Sequence, residues 1–447
     1  MAAVSPARKA AFGVLNAIER GHAHADDLLR GKSVEALSPA DRNLATALVL
    51  GTLRWQINLD HQLKSLLKHP NAKLDAEVLI ALRLGAFQLQ HLDRIPTHAA
   101  IDESVELAKH AGHRFASGMV NAVLRKLAAA PQMHVSEESP AGLALGQAHP
   151  SWLVERWAAV YGLDAARAIC HHGQGQPALT VRLESSAVEA ELATDDIRVV
   201  PGALLTSVCT IVSGDLAGSS ALRENRVRLQ DEGSQFVAEL VPRGNAILDC
   251  CAAPGGKTLI LAERNPLARI VACESNPERL ARLIERLEPL GPRVDCRHAD
   301  ATVLEDDSTY DVVLADVPCS GTGTLGRNPE IRHRLNPEDL PRQADRQKAI
   351  LRSALRALRR GGRVIYSTCS LEPEENEQVV AAVLAESPGA RITPLGTRIE
   401  ELSAEGVLTA SGALRLQDCI TPEGYLRLLP GVLHTDGFFV AMIQKLG

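Results

Sequence analysis

The chain has 447 residues, a formal net charge of −6, 45% hydrophobic residues and only 3% aromatic ones. That length exceeds one ordinary core and predicts two or three domains, while so few aromatics disfavour binding that relies on stacking many bases. The charged opening MAAVSPARKAAFGVLNAIERG has no apolar signal region, and the longest near-apolar run, LATALVLGTL at 44–53, is too short to span a bilayer, so a cytoplasmic protein without membrane contact is expected.

Nine cysteines is an odd number, and none are spaced as C-x-x-C, which argues against a disulfide framework and against a structural metal site. Charge is unevenly spread. Residues 1–130 hold 16 Lys and Arg against 12 Asp and Glu, and the remainder is acidic. This asymmetry permits an anionic partner for the first segment without requiring one, since a surplus of that size is commonly a solvated face.

In chain order, residues 1–135 read as an all-α domain: Ala7, Ala11, Val14, Leu15 and Ile18 recur at helical spacing, as do Leu82, Ala86 and Leu89. Ser38-Pro39-Ala40-Asp41 is a helix start, with Ser38 as N-cap and Pro39 in the first turn. Ile101, Val105 and Ala108, then Val120, Leu124 and Leu127, predict two closing helices. The stretch from about 130 to 148 is rich in Pro, Gly, Ser and Ala and reads as a linker. Residues 149–225 predict a small α/β connector, with a helix SWLVERWAAVYG and strands near 178–183 and 197–201.

From 226 to 447 short apolar runs alternate with helical stretches: AILDCC, RIVACES, RVDCRHAD, YDVVLADVP and GGRVIYSTCS. Strands alternating with helices imply right-handed β-α-β units and an α/β, Rossmann-like domain with a mostly parallel sheet. YLRLLPG and DGFFVAMIQK predict two last strands, antiparallel at the sheet edge.

The turn after the first of these strands, CCAAPGGKT, ends like a phosphate-gripping P-loop. Counting back from Gly256, however, puts Cys251 where that loop needs glycine, and Pro254 removes an N–H donor from the cradle. In such sheets ligands bind beyond the carboxyl ends of strands, and an acid ending the next strand can hold a ribose diol. The turn Cys251, Ala252, Ala253, Pro254, Gly255, Gly256 and Lys257, with Glu274 at the end of RIVACE, therefore points to a nucleoside lacking a pyrophosphate. S-adenosylmethionine fits. Glu274 is otherwise a surface acid, and Asp300 either caps the adenine amino group or caps a turn.

DVPCSGTG follows one strand and STCS the next, so Asp316, Cys319 and Cys369 can meet at one sheet edge. A lone cysteine there is usually a small core hydrophobe. Two at neighbouring strand ends, beside a methyl-donor pocket, suit methylation at C5 of a pyrimidine, where a thiolate first adds to C6 and an acid near N3 stabilises the charge.

LDCCAAPGGKT, DVPCSGTG, YSTCSLEPEENE and DGFFVAMIQK, with QDEGSQ at 230–235, resemble the motifs of the RNA cytosine-5 methyltransferase family over about residues 229–447. The resemblance implies Cys369 as nucleophile, Cys319 as the thiol that assists product release, Asp316 as the acid on the cytosine, and Lys257 beside substrate and donor. It also implies donor contacts from the 251–257 turn, Glu274, Asp300 and Asp316. DNA cytosine-5 methyltransferases use the P-C cysteine as nucleophile, which is the alternative role for Cys319.

SPADRNLATALVLGTLRW and VNAVLRKLA are similar to the NusB-type RNA-binding domain. Its fusion to this core resembles the bacterial small-subunit rRNA enzymes of the family, implying one cytosine of 16S rRNA, conventionally cytosine 967, as target; splaying out such a base is easiest in a hairpin loop, and a monomer is expected. Two stretches depart from the family pattern: Glu184 stands where Asn is usual, and Gly326 and Glu330 stand where Arg and Asp are common. Both lie outside the methyl-transfer motifs. The same chemistry on tRNA or another RNA, and a non-catalytic RNA-binding assembly factor, are the competing readings; the intact Asp316, Cys319 and Cys369 set argues against the latter.

Overall fold

A computed structural model describes residues 4–21, 24–71, 73–131 and 133–446. Residues 1–3 of the charged opening and Gln132 of the expected linker lie outside these. The chain forms two compact units, Met1–Gln176 with Leu325–Arg334, and Pro177–Thr324 with Leu335–Gly447.

The first unit is helical, as its periodicity requires. Long helices run over Pro6–Glu19, Pro39–Leu66, Ala76–His91, Thr97–His110 and Ser117–Ala129. Ser38 caps the second, its Oγ accepting from the Asp41 N–H at 3.2 Å. The predicted stripe residues Ala7, Ala11, Val14, Leu15 and Ile18 are all buried, and so are Leu82, Ala86, Ile101, Ala108, Val120, Leu124 and Leu127, while Leu89 and Val105 are half-buried. Each fully buried Leu is worth roughly 1.5–3 kcal/mol, which outweighs differences in intrinsic helix propensity.

The expected linker is less irregular than its composition implies. It contains a short helix, Pro140–Gly146, because Ser139 Oγ accepts from the Gly142 N–H at 3.2 Å and Leu143 and Ala144 are buried. Helices Ser151–Tyr161 and Leu163–Gln174, the helical part of the expected connector, also pack in this unit, with Trp157 buried and Gln174 Nε2 donating to the Arg54 carbonyl at 3.0 Å.

Leu325–Arg334 completes the helical unit through backbone capture. The buried Arg332 guanidinium donates to the carbonyls of Arg54 at 2.9 Å and Gly173 at 2.7 Å, and burial lowers its pKa to about 9. Arg54 in turn donates to the Gly326 carbonyl at 2.8 Å, and Glu330 accepts from the Ala25 N–H at 3.2 Å. Two of the three departures from the family pattern thus have structural work inside this unit. Gly326 contributes only its carbonyl, whereas Glu330 contributes its carboxylate.

The second unit holds two sheets. Strands β1 (Thr180–Leu183), β2 (Arg198–Pro201), β3 (Val208–Ser213) and β4 (Val227–Leu229) form a small antiparallel sheet in the order β2-β3-β1-β4. It is tied to the rest of the unit by charge: Arg182 pairs with Glu239 and Glu263, each at 2.9 Å. Buried Glu232 accepts from the N–H groups of Ala203, Leu204 and Leu205 at 2.8–3.0 Å.

The large sheet comprises β5 (Ala246–Asp249), β6 (Arg269–Glu274), β7 (Val294–His298), β8 (Tyr310–Asp316), β9 (Leu358–Thr368), β10 (Ala390–Ile392), β11 (Leu426–Leu428) and β12 (Phe438–Lys445). Its order is β10-β12-β9-β8-β5-β6-β7, with β11 also on β12, and β5 to β9 are mutually parallel. β8 is buried along nearly its whole length, as a parallel strand covered on both faces is. β12 is antiparallel to β9 as expected, but it is not the edge: the three-residue strand β10 covers its outer side. Strand order reverses between β5 and β8, which opens the ligand crevice beyond their carboxyl ends.

Candidate active site

β5, β6, β8 and β9 all end at this crevice, so the turn that follows each is delivered to one place. After β5 the chain makes the turn of Cys250–Gly255 and enters helix Gly256–Arg264. Gly255 sits at φ 95°, a left-handed backbone that favours glycine, and its N–H donates to the Ala252 carbonyl at 2.7 Å. Arg279 and Arg286 hold the turn from outside by donating to the carbonyls of Ala253 and Pro254 at 2.9 and 3.2 Å.

A cavity of about 240 Å³ opens here, lined by Cys251, Ala253, Glu274, Asp300, Asp316, Cys319 and Cys369, among others. Seven of the twelve site residues read from the sequence therefore share one wall. Glu274 is 5% exposed and accepts from the Asn276 N–H at 2.8 Å through one oxygen. Asp300 caps the turn, its Oδ1 accepting from the N–H and hydroxyl of Thr302 at 2.9 and 2.8 Å, which lowers its pKa, and the residue also lines the cavity.

Ala252, Pro254, Gly256 and Lys257 instead line an adjoining cavity of about 120 Å³, which shares Cys251, Ala253 and Asp316 with the first. Gly255 lines neither and supplies the turn. Asp316 is the hinge between the two spaces. Its Oδ2 pairs with Lys257 Nζ at 2.8 Å, and its Oδ1 accepts from Ser367 Oγ at 2.7 Å. Burial pulls the Lys257 pKa down, but the charge and hydrogen bond of Asp316 outweigh it and the net shift is upward, so the ammonium is retained.

The two thiols meet. Cys319 Sγ and Cys369 Sγ lie 3.4 Å apart, although the residues are 50 positions apart in sequence. Their turns are joined through backbone, with the Gly323 N–H donating to the Cys369 carbonyl at 2.9 Å. Gly323 is required there: a Cβ would stand 2.5 Å from the Gly437 carbonyl oxygen and 2.8 Å from that of Cys369. The Cys319 thiol is pushed well above its ordinary range, first by its hydrogen bond with Cys369 and then by burial. Cys250 and Cys273 are buried and packed in the apolar core, where burial raises their pKa values, although Cys250 also lines part of the cavity wall.

Sequence reasoning missed Asp249, Ser367 and Arg346. Asp249 carried a signal, as an acid ending the first parallel strand, while Arg346 sits in an ordinary helical pattern with none. Asp249 is 1% exposed, accepts from Thr258 Oγ1 at 2.8 Å and leaves Oδ1 without a partner. Burial lifts its carboxyl from 3.8 to about 7, with Asp316 adding to the rise and Thr258 and Lys257 opposing it.

The folded state therefore binds this proton more tightly than the unfolded chain, and the contribution to stability is complete below 3.8 and is lost as pH rises toward about 7. Replacing Asp249 with Asn is expected to remove that loss, on the order of a few kcal/mol. Melting temperatures of the two proteins across pH 4 to 8 would diverge in that window, and parallel curves would refute the assignment.

The residues at and after the ends of β5, β6, β7 and β8 fit a nucleoside methyl donor: three acids face one cavity, and a glycine turn brings backbone close. Comparison with known proteins agrees. Residues 238–444 match the family model for 16S rRNA methyltransferase RsmB/F, residues 5–129 the NusB family, and residues 149–209 the ferredoxin-like domain of RsmF/B-like methyltransferases. A probable ribosomal RNA small subunit methyltransferase B from Bacillus subtilis is 34% identical over 98% of this chain and 99% of its own length. A ribosomal RNA small subunit methyltransferase B from Pseudomonas putida is 34% identical over 87% of this chain and 91% of its own.

Among solved structures, that of PH0851 covers 99% of this chain and 100% of its own with a TM-score of 0.78 at 24% identity, and a methyltransferase homolog from Pyrococcus horikoshii covers 69% and 99% with a TM-score of 0.55 at 24% identity. These two share the fold. Among the described residues no helix is long and apolar enough to cross a membrane. On its family model and on relatives about one third identical over nearly all of both chains, this chain belongs to the RsmB/F family of S-adenosylmethionine-dependent 16S rRNA methyltransferases.

Proposed function

We propose that this enzyme methylates C5 of one cytosine in 16S rRNA, cytosine 967, through a covalent bond between Cys369 and C6 of the base. The observation that carries the reading is the approach of two thiols to 3.4 Å at the wall of the cavity that also holds Glu274, Asp300 and Asp316. A binding protein has no physical need for such a pair.

Cys369 attacks C6 as thiolate, forming the C–S bond and moving the C5–C6 π pair onto C5. The Lys257 ammonium stabilises the negative charge that develops around N3, and Asp316, beside the base, holds that ammonium in place. Glu274 would hold the donor's ribose, Asp300 its adenine, and the 251–256 turn would approach it with backbone. When bound, the donor would supply an electrophilic methyl group to the activated C5, its sulfonium sulfur keeping the pair of the broken S–C bond and leaving as the thioether. A base then removes the C5 proton, the C5–C6 double bond re-forms, and the C–S pair returns to Cys369 while Cys319 donates to the departing sulfur.

Chemistry on a base also requires it to leave its stack, which is least costly in a hairpin loop, and the amino-terminal NusB-type unit favours structured rRNA as the target. Such a substrate places the enzyme in the cytoplasm, where it would act as a monomer. Transfer of labelled methyl from S-adenosylmethionine to protein-free 16S rRNA, with the labelled nucleotide identified, tests the reading. Label is expected on 5-methylcytosine at one position. Label on tRNA alone would keep the chemistry and overturn the target, and no label from a protein that binds the donor would leave an assembly factor.

A further inference from the structure

The proposed chemistry, on which this inference rests, asks two thiols 3.4 Å apart to behave differently. One attacks carbon, and the other keeps its proton until the product leaves. Two cysteines in similar Ser-flanked turns do not divide those roles by themselves, so the difference has to come from the groups behind them.

One carboxylate stands behind both turns. Ser320 and Ser370 follow the two cysteines, and each hydroxyl donates to Glu375 Oε2, that of Ser370 at 2.5 Å. The other oxygen, Oε1, accepts from the Ser320 N–H at 2.8 Å and from Gln347 Nε2 at 2.9 Å. Gln347 also donates to the carbonyl of Pro318 at 2.9 Å, so it braces the turn on the other side of Cys319. Glu375 is 0% exposed, and among the described residues no cation pairs with it. A buried carboxylate without a counter-charge is costly. Glutamine would keep the two bonds accepted at Oε1 and set an N–H2 donor where the two serine hydroxyls now donate, so it removes the charge and makes those hydroxyls acceptors.

The charge matters to Cys319. Its thiol is raised by the hydrogen bond with Cys369, by burial, by the Cys369 charge and then by Glu375. The titratable and charged groups around that sulfur are Cys369, Glu375 and Tyr366, while Asp316 and Arg346 line the same cavity.

We propose that Glu375 is a positioning residue for the methyl-transfer reaction: its carboxylate locks the Cys319 and Cys369 turns together and keeps Cys319 the proton-bearing thiol. When C5 loses its proton and the C6–S bond breaks, the electron pair goes to the Cys369 sulfur, and the Cys319 S–H donates to it. The division of labour between the thiols is thereby set from behind the active site by a residue that touches neither RNA nor donor.

The test is Glu375→Gln, which fits the same space and loses the charge. Peptide-resolved alkylation of Cys319 by iodoacetamide, run against pH without RNA or donor, is expected to shift its midpoint to lower pH. In turnover the variant is expected to lose roughly 10- to 100-fold in kcat, the worth of a hydrogen bond to a charged group, with the RNA KM kept and covalent protein–RNA adduct accumulating. An unchanged midpoint and unchanged kcat in a folded variant would overturn the proposal. Should that variant fail to fold, Ser370→Ala leaves the charge and cuts one tie: kcat is then expected to fall with the alkylation midpoint kept, and unchanged kcat would overturn the clamp. Because alkylation is read without methyl transfer, absence of 5-methylcytosine from the unmodified enzyme would sink the reaction and leave the thiol result standing.

Discussion

Replacing Cys369 with Ala is expected to reduce methyl transfer by on the order of 10⁴-fold or more while leaving affinity for S-adenosylmethionine intact. C5 of cytosine is too electron-poor to take a methyl group until a nucleophile has added to C6, so without that sulfur neither positioning nor electrostatics makes C5 reactive. The acids assigned to the donor are held by other bonds, Glu274 by the Asn276 N–H and Asp300 by Thr302, and none of these involves Cys369. The variant also keeps the Cys369 carbonyl that receives the Gly323 N–H, so the turn is retained. Single-turnover transfer from labelled donor, paired with equilibrium binding of the donor, separates the two quantities. Normal turnover in this variant would remove Cys369 from the nucleophile's role.

Replacing Cys319 with Ala is expected to do something different, namely to accumulate a covalent protein–RNA adduct that survives denaturing electrophoresis. Of the two thiols, addition and methyl transfer use that of Cys369 alone in the proposed mechanism. Release needs that sulfur to leave carbon as an anion, and the Cys319 thiol, proton-bearing and 3.4 Å away, is the donor placed to receive it. Losing a positioned proton donor is expected to slow release by about 10²-fold or more, giving a burst of one methyl per enzyme followed by slow turnover. If Cys319 were the nucleophile, as the DNA enzymes' arrangement allows, the two variants would exchange behaviour. Adduct from neither would refute the division of roles.

Much of the architecture was legible in the residues. Helical spacing from Ala7 to Leu127 and the alternation of short Val- and Leu-rich runs with helices from Ala246 onward are local patterns set by which face must be buried. The capping Ser38 and the acid and glycine punctuation at strand ends are local too. Less legible were the three-residue strands β4 and β10, which have too little length for a periodicity and exist because a longer neighbour pairs with them. The place of Leu325–Arg334 was hidden for a similar reason. Arg332 and Glu330 look like surface charges in sequence, and only backbone carbonyls and an N–H far away in the chain make their burial tolerable.

The candidate site divides along the same line. The sequence by itself determined the parts whose chemistry is carried by neighbours in the chain: the 251–257 turn that cannot be a P-loop, the acid ending β6, and two cysteines each following a parallel strand. Only the tertiary structure decided that Cys319 and Cys369 touch, that Asp316 is held between Lys257 and Ser367, that Asp249 is buried nearly without partners, and that Glu375 gathers both cysteine turns. The reason is physical: strand order and register join residues about fifty positions apart, and no local propensity encodes which strand will lie beside which.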